Sequence, residues 1–118
     1  MDMRITRLET FLVKPRSLFL KIYTNEGLVG LGEPILEGRA RTCGQAVAEL
    51  EPYLVGKDPL RIEHHFQYLY RSSHFRGAAI MGALSAIDIA LWDIAGKHLG
   101  VPSYQLLGGK VRDWARVY

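Results

Sequence analysis

A single cysteine, Cys43, leaves this 118-residue sequence unable to close an intrachain disulfide. Such sparing use of cysteine fits a reducing compartment, so a cytoplasmic location is expected. No uninterrupted apolar run approaches the ~20 residues that a bilayer span needs. The first ten residues also lack the apolar core of a secretory signal, so no membrane partner is expected. Basic residues are not concentrated: the 15 Lys and Arg run from Arg4 to Arg116, and the net charge is only +3. Nucleic-acid binders gather such residues on one face or in one run, and the densest pair here is Arg39 with Arg41. A nucleic-acid partner is not expected. Internal repeats, low-complexity stretches and glycine patterns of the phosphate-cradling kind are also missing.

What is present belongs to a globular domain. The sequence is 48% apolar and 23% charged, and its length suits one domain of about 100–150 residues. Leu18, Leu20 and Ile22 alternate with Phe19, Lys21 and Tyr23, the period-2 signature of a strand. Gly27 can close a hairpin after Thr24-Asn25-Glu26, with Leu28 to Glu33 returning. Gly30 and Gly32 clear one face of that strand for a close neighbour. Ile5 to Val13 reads as a third strand whose alternation slips between Ile5 and Leu8, predicting a bulge.

After Pro34 the period becomes helical. Thr42 and Gln45 have the form of a capping box, followed by Cys43, Val47, Leu50 and Leu54 on one face, with a kink expected at Pro52. Asp58-Pro59 reads as the cap and first position of a second helix, with Ile62, Phe66 and Leu69 as its buried stripe. A long helix is predicted from Ala78 to Leu99. Ile80, Leu84, Ile87, Leu91 and Ile94 form its seam, Ala83, Ala86 and Ala90 form a smooth second face, and Asp93 and Lys97 pair on the exposed side. Strands first and helices afterwards argue for an α+β fold, an antiparallel three-stranded meander followed by a helical bundle. Val111 to Tyr118 reads as one more strand. An unpartnered terminal strand is an edge that domains avoid, so truncation is the expected explanation.

The polar residues divide by their surroundings. His64 and His65 are adjacent and face different ways on a helix, so surface and packing roles are expected. Asp88 falls within the apolar arc of the long helix and should be buried or at an interface, as a structural anchor. Cys43 reads as a small core residue, and Trp92 and the tyrosines as packing groups. Glu33, at a strand end, should bond backbone or an arginine.

The stretch Ala83 to Lys97, followed by Pro102 and Leu106-Leu107-Gly108, closely resembles a signature of the mandelate racemase and muconate lactonizing group of the enolase superfamily. Asn25-Glu26-Gly27, Gly32-Glu33-Pro34 and Gly56-Lys57-Asp58-Pro59 agree with it, and Ser103 departs from the aliphatic residue usual there. Gly32-Glu33-Pro34 leading into Glu37-Gly38-Arg39-Ala40-Arg41-Thr42, together with Arg76-Gly77, looks most like the galactonate dehydratases of that group. The resemblance implies that residues 1–110 are an N-terminal capping domain and 111–118 the start of a truncated β/α barrel that is otherwise absent. It implies a Mg²⁺-dependent parent that removes the proton alpha to a carboxylate and then expels the β-hydroxyl as water. Mg²⁺ and the acid/base residues would be held by the missing barrel, so no catalytic residue and no metal ligand is assigned in this chain. The implied partners are a sugar acid, the chain's own C-terminal barrel and further copies in a homo-oligomer. In such caps the loops after the first and third strands, here Lys14 to Ser17 and Pro34 to Arg41, close over the substrate. Arg16, Glu37 and Arg39 are therefore the candidate substrate-binding residues. A racemase, epimerase or cycloisomerase of the same superfamily, or a free-standing non-catalytic α+β binding module, are the alternatives. The piece by itself is expected to be inactive and prone to associate.

Overall fold

The computed structural model describes residues 2–118. Its elements in chain order are β1 (Ile5–Val13), β2 (Ser17–Thr24), β3 (Val29–Gly32), α1 (Ala40–Leu54), α2 (Ile62–Arg71), α3 (Ala78–Leu99) and α4 (Ser103–Leu106). The strands form one antiparallel sheet in the order β1-β2-β3, and the helices pack on one of its faces. This is the α+β meander-and-helices arrangement that the sequence predicts. The expected bulge is present as a register shift between Ile5 and Arg7. Gly27 closes the β2–β3 turn at φ 81°, a conformation that side chains resist.

One apolar core joins sheet and helices. Leu20 and Ile22 from β2 meet Val47 and Leu54 from α1, Leu69 from α2, and Leu84, Ile87, Leu91 and Ile94 from α3. Each large side chain so buried contributes about 1.5–3 kcal/mol relative to exposure. By length and composition α3 could cross a bilayer, which the charges interrupting its apolar runs obscure in the sequence. In the fold its apolar arc is instead covered by the sheet, α1 and α2.

Strand β3 and helix α3 approach each other closely. Ala86 and Ala90 are fully buried, and they face two glycines of the strand. A Cβ on Gly30 would collide with the carbonyl oxygen of Ala90, and one on Gly32 with that of Ala86. The helix also ties down the strand's open edge. Asp93 Oδ2 accepts the Leu31 N–H at 2.9 Å, and Lys97 Nζ donates to the Val29 carbonyl at 2.6 Å. Asp93 and Lys97 pair with each other at 2.9 Å, so they serve the sheet as well as the exposed side of the helix. On the opposite edge Glu51 Oε2 accepts the Leu8 N–H at 2.6 Å.

Four local expectations change. Thr42 is not a cap: α1 begins at Ala40 with Arg39 as the flanking residue, and no side chain caps it. Asp58 Oδ1 accepts the Leu60 N–H at 2.9 Å and so closes a turn, while α2 starts four residues later behind Arg61. Residues 111–118 form no strand, because no neighbouring strand offers them hydrogen bonds. Glu33 is exposed and forms no ion pair among the described residues. The helix runs through Pro52 to Leu54, although the proline lacks the N–H that Ala48 would otherwise receive.

His65 is 2% exposed, while His64 lies on the surface. The His65 Nε2 is 2.7 Å from the Asp58 carbonyl, which can only accept, so Nε2 carries the proton. Nδ1 then accepts from the Tyr53 hydroxyl at 3.0 Å. The ring thus joins α1, α2 and the turn between them. Cys43 is wholly buried, as its place on the α1 seam predicts.

Two outcomes follow for stability. Ala at Gly30 or Gly32 lowers the urea midpoint by an amount equivalent to about 1–3 kcal/mol or more, since backbone cannot yield as a side chain does. Gly44→Ala in α1, where a Cβ would meet only ordinary contacts with Leu18 and Thr10, raises it by about 0.5–1 kcal/mol. Separately, burial pushes the His65 imidazole below its ordinary value, against the pull of the Asp58 carbonyl. The unfolded chain therefore takes up the proton first. The stability that neutral His65 contributes is complete above pH ~6.5 and is lost as the pH falls toward the lower folded value. Urea unfolding across that interval should show the decline, and His65→Gln should remove this component of the slope.

Candidate functional site

The antiparallel order decides which loops meet. β1 ends at Val13 where β2 begins at Ser17, and Gly32, the last residue of β3, pairs with Leu20 at the same end of the sheet. The short β1–β2 connection and the segment from Pro34 to Arg41 therefore rise side by side. Between them is a pocket of about 630 Å³ lined by Leu12, Lys14 to Arg16, and Gly38 to Thr42.

Arg16 and Arg39, two of the three residues singled out in the sequence, are both in this lining. Glu37 stands at its rim, where it pairs with Arg16 Nη1 at 2.9 Å across the two loops. Lys14 and Arg41 complete the lining and had not been singled out. Their position on the same two loops was the available signal, but only the sheet order shows that all four cations share one pocket. No carboxylate lies among the lining residues, so the pocket carries an excess of positive charge.

The start of α1 adds to that character. Ala40, Arg41 and Thr42 form its first turn and part of the pocket wall. No side chain caps this end and no acidic residue lies in the first turn. The leading backbone N–H groups of a helix carry partial positive charge and suit an anion. Arginine beside them offers the paired donors that match a carboxylate.

A larger pocket, about 740 Å³, lies elsewhere, against the start of β1 and between α1 and α2. Its lining mixes Arg4, Lys57 and Arg61 with Asp2, Glu26 and Asp58. Its most buried polar side chain, His65, already has both ring nitrogens bonded within the fold, and Tyr53 and Tyr68 stack on each other at 4.1 Å. Those groups hold α1 and α2 together, and the pocket has no comparable excess of one charge. Size is therefore a poorer guide than the convergence of cations at the sheet end. Among the described residues no three His, Cys, Asp or Glu side chains gather closely enough to hold a metal ion. Mg²⁺ prefers about six oxygen ligands, and these residues do not fit it.

Comparison with known proteins gives this geometry a context. Residues 8–108 match the mandelate racemase / muconate lactonizing enzyme family, N-terminal domain. The chain is 57% identical over 117 residues to a D-galactonate dehydratase of Verminephrobacter eiseniae, covering 98% of this chain and 31% of that protein. Identity to a D-galactonate dehydratase of Variovorax paradoxus is 59% over 117 residues, with the same coverage. Among solved structures, a member of the enolase superfamily from Salmonella Typhimurium shares the fold with a TM-score of 0.87 and 34% identity, over 93% of this chain and 30% of that one. The chain spans about a third of the length of the curated relatives it matches.

The Arg16–Glu37 pair joins two side chains that are 68% and 70% exposed. Exposed pairs of this kind contribute about 0–1 kcal/mol. Replacing Glu37 with alanine should lower the thermal midpoint by no more than about 5 °C, which differential scanning calorimetry can check. A large drop would mean that the pair holds the loops in place.

Proposed function

That the chain belongs to the mandelate racemase / muconate lactonizing enzyme family, as its N-terminal domain, is the premise from which we propose that it is the cap of a sugar-acid dehydratase acting on galactonate or a close epimer. The observation that carries this reading is the pocket in which Lys14, Arg16, Arg39 and Arg41 converge beside the uncapped start of α1. A sugar acid presents one carboxylate and a row of hydroxyls, and such a pocket offers cations and N–H donors to both. The likeness to proteins named D-galactonate dehydratase supports the choice among sugar acids.

Loss of water from an aldonic acid removes the proton on the carbon next to the carboxylate and the hydroxyl on the following carbon. The enol so formed becomes a 2-keto-3-deoxy acid. In this proposal Arg39 and its neighbours hold the polar end of the substrate, and the two loops exclude water while the reaction proceeds. Arg16, paired with Glu37 at the rim, adds a further cation to the pocket. We assign the acid/base residues and the magnesium ion to the remainder of the parent. Residues 111–118 are assigned to the start of the parent's barrel domain.

The test is turnover of galactonate and its epimers by the full-length parent, followed as 2-keto-3-deoxy acid. Losing one charge-assisted hydrogen bond costs about 1.5–3 kcal/mol, so Arg39→Ala should raise KM roughly ten- to hundredfold while kcat changes less. If no aldonic acid is dehydrated but the proton alpha to a carboxylate exchanges with solvent, the parent is a racemase or epimerase and the dehydratase reading fails.

A further inference from the structure

Helix α2 buries Ile62, His65 and Leu69 and leaves Glu63, His64, Gln67, Tyr68 and Arg71 exposed. Helical spacing puts these five on one side in two rows, since residues four apart are neighbours. In the first row Gln67 Nε2 donates to Glu63 Oε1 at 2.7 Å, and Arg71 Nη1 donates to Gln67 Oε1. The row is thus negative at one end, positive at the other and an amide in the middle. Its bonding capacity is only partly used: Glu63 keeps a second carboxylate oxygen and Arg71 further N–H groups. Neither is in an ion pair among the described residues. An acid early and a base late also suit the helix dipole, but the dipole asks nothing of the rings in the second row. There Tyr68 is 51% exposed, and Tyr53 stacks on one of its faces at 4.1 Å, which holds the ring in place before any partner arrives.

The composition of this face suits a protein partner. His64, Gln67, Tyr68, Arg71 and Ser72 line an open depression of about 410 Å³, and α2 carries arginine and tyrosine but no lysine. Contact surfaces favour that selection, and a ring already held in place loses little freedom on docking. The order of the charges selects the partner. A two-fold axis at Gln67 sets a second α2 antiparallel to the first, and each residue before Gln67 then faces one as far after it. Glu63 of each copy meets Arg71 of the other, and the two Gln67 amides meet with a donor and an acceptor apiece. A parallel arrangement would bring Glu63 to Glu63 and Arg71 to Arg71, which like-charge repulsion opposes. We propose that the outer face of α2 is a contact between two copies of this chain, joined antiparallel about Gln67. The inference concerns the parent's assembly and holds whichever reaction the parent performs.

Cysteine cross-linking in the full-length parent tests it, with other accessible cysteines replaced by serine. Residues on a two-fold axis meet their own copies, so Gln67→Cys should form a disulfide-linked dimer under a mild oxidant in dilute protein. Glu49→Cys, exposed on α1, controls for random collision and should link far more slowly. Adding Glu63→Arg or Arg71→Glu to Gln67→Cys sets like charges across the axis and should slow linkage about tenfold or more. Mixing those two variants restores both opposite-charge pairs and should restore the rate, an outcome that misfolding of either variant cannot imitate. Equal linkage of Gln67→Cys and Glu49→Cys would overturn the proposal, as would linkage indifferent to the charge reversals. So would a mixture that stays slow while both variants keep the parent's circular dichroism. Absence of linkage at every protein concentration would mean that the parent's own polypeptide covers α2, and this too sinks the idea.

Discussion

The domain depends on a contact made almost without side chains. Strand β3 lies against helix α3 so closely that Gly30 and Gly32 rest on the backbone at Ala90 and Ala86. Any other residue at these strand positions would push the helix away from the sheet. That separation would open the core formed by Leu84, Ile87, Leu91 and Ile94, since interiors are packed to crystal-like density and accommodate little change. Asp93 and Lys97 complete the arrangement by bonding the strand's outer edge to the same helix. One short strand of four residues is thereby fixed on its face and along its edge.

The basic pocket inherits its geometry from this frame. Because β3 cannot shift along α3 without meeting Ala86 or Ala90, the point at which the chain leaves Gly32 is set. The loop carrying Glu37 and Arg39 therefore starts from a fixed position next to the β1–β2 connection. Glu51 does similar work on the far edge, holding β1 through the Leu8 N–H. With both edges engaged by helix carboxylates, the sheet offers little template for an added strand.

Much of this was legible in the sequence, for physical reasons that differ by element. The period-2 alternation of β2 and the long seam of α3 are properties of local spacing, and both appear within a residue or two of their expected bounds. Gly30 and Gly32 announced a close neighbour, and the smooth alanine face at Ala86 and Ala90 announced a surface able to be one. Placing the two against each other was beyond local pattern. The expected caps differ because α1 starts two residues before Thr42, while the Asp58 side chain, able to cap a helix, closes a turn instead. Helical spacing pairs Asp93 with Lys97 on the solvent side, but it carries no information about a strand edge 62 residues away in sequence. Of the pocket, Arg16, Glu37 and Arg39 could be proposed from their loops, while Lys14 and Arg41 joined them only through sheet order.

The loop pocket stands on rigid walls but is itself made of short connections. The Thr24–Leu28 turn and the bonds joining Ile5 to Gly56 and Lys57 lie at the other end of the sheet, so the register of the strands does not depend on what lies between Val13 and Ser17 or between Gly32 and Ala40. Residues there can change in size, charge or number while the scaffold beneath keeps its shape. The loop pocket and the contacts that set the sheet thus occupy different parts of the chain. Under the proposed function, a lineage could alter the acids it recognises through a handful of loop substitutions, with no need to rebuild the domain that presents them.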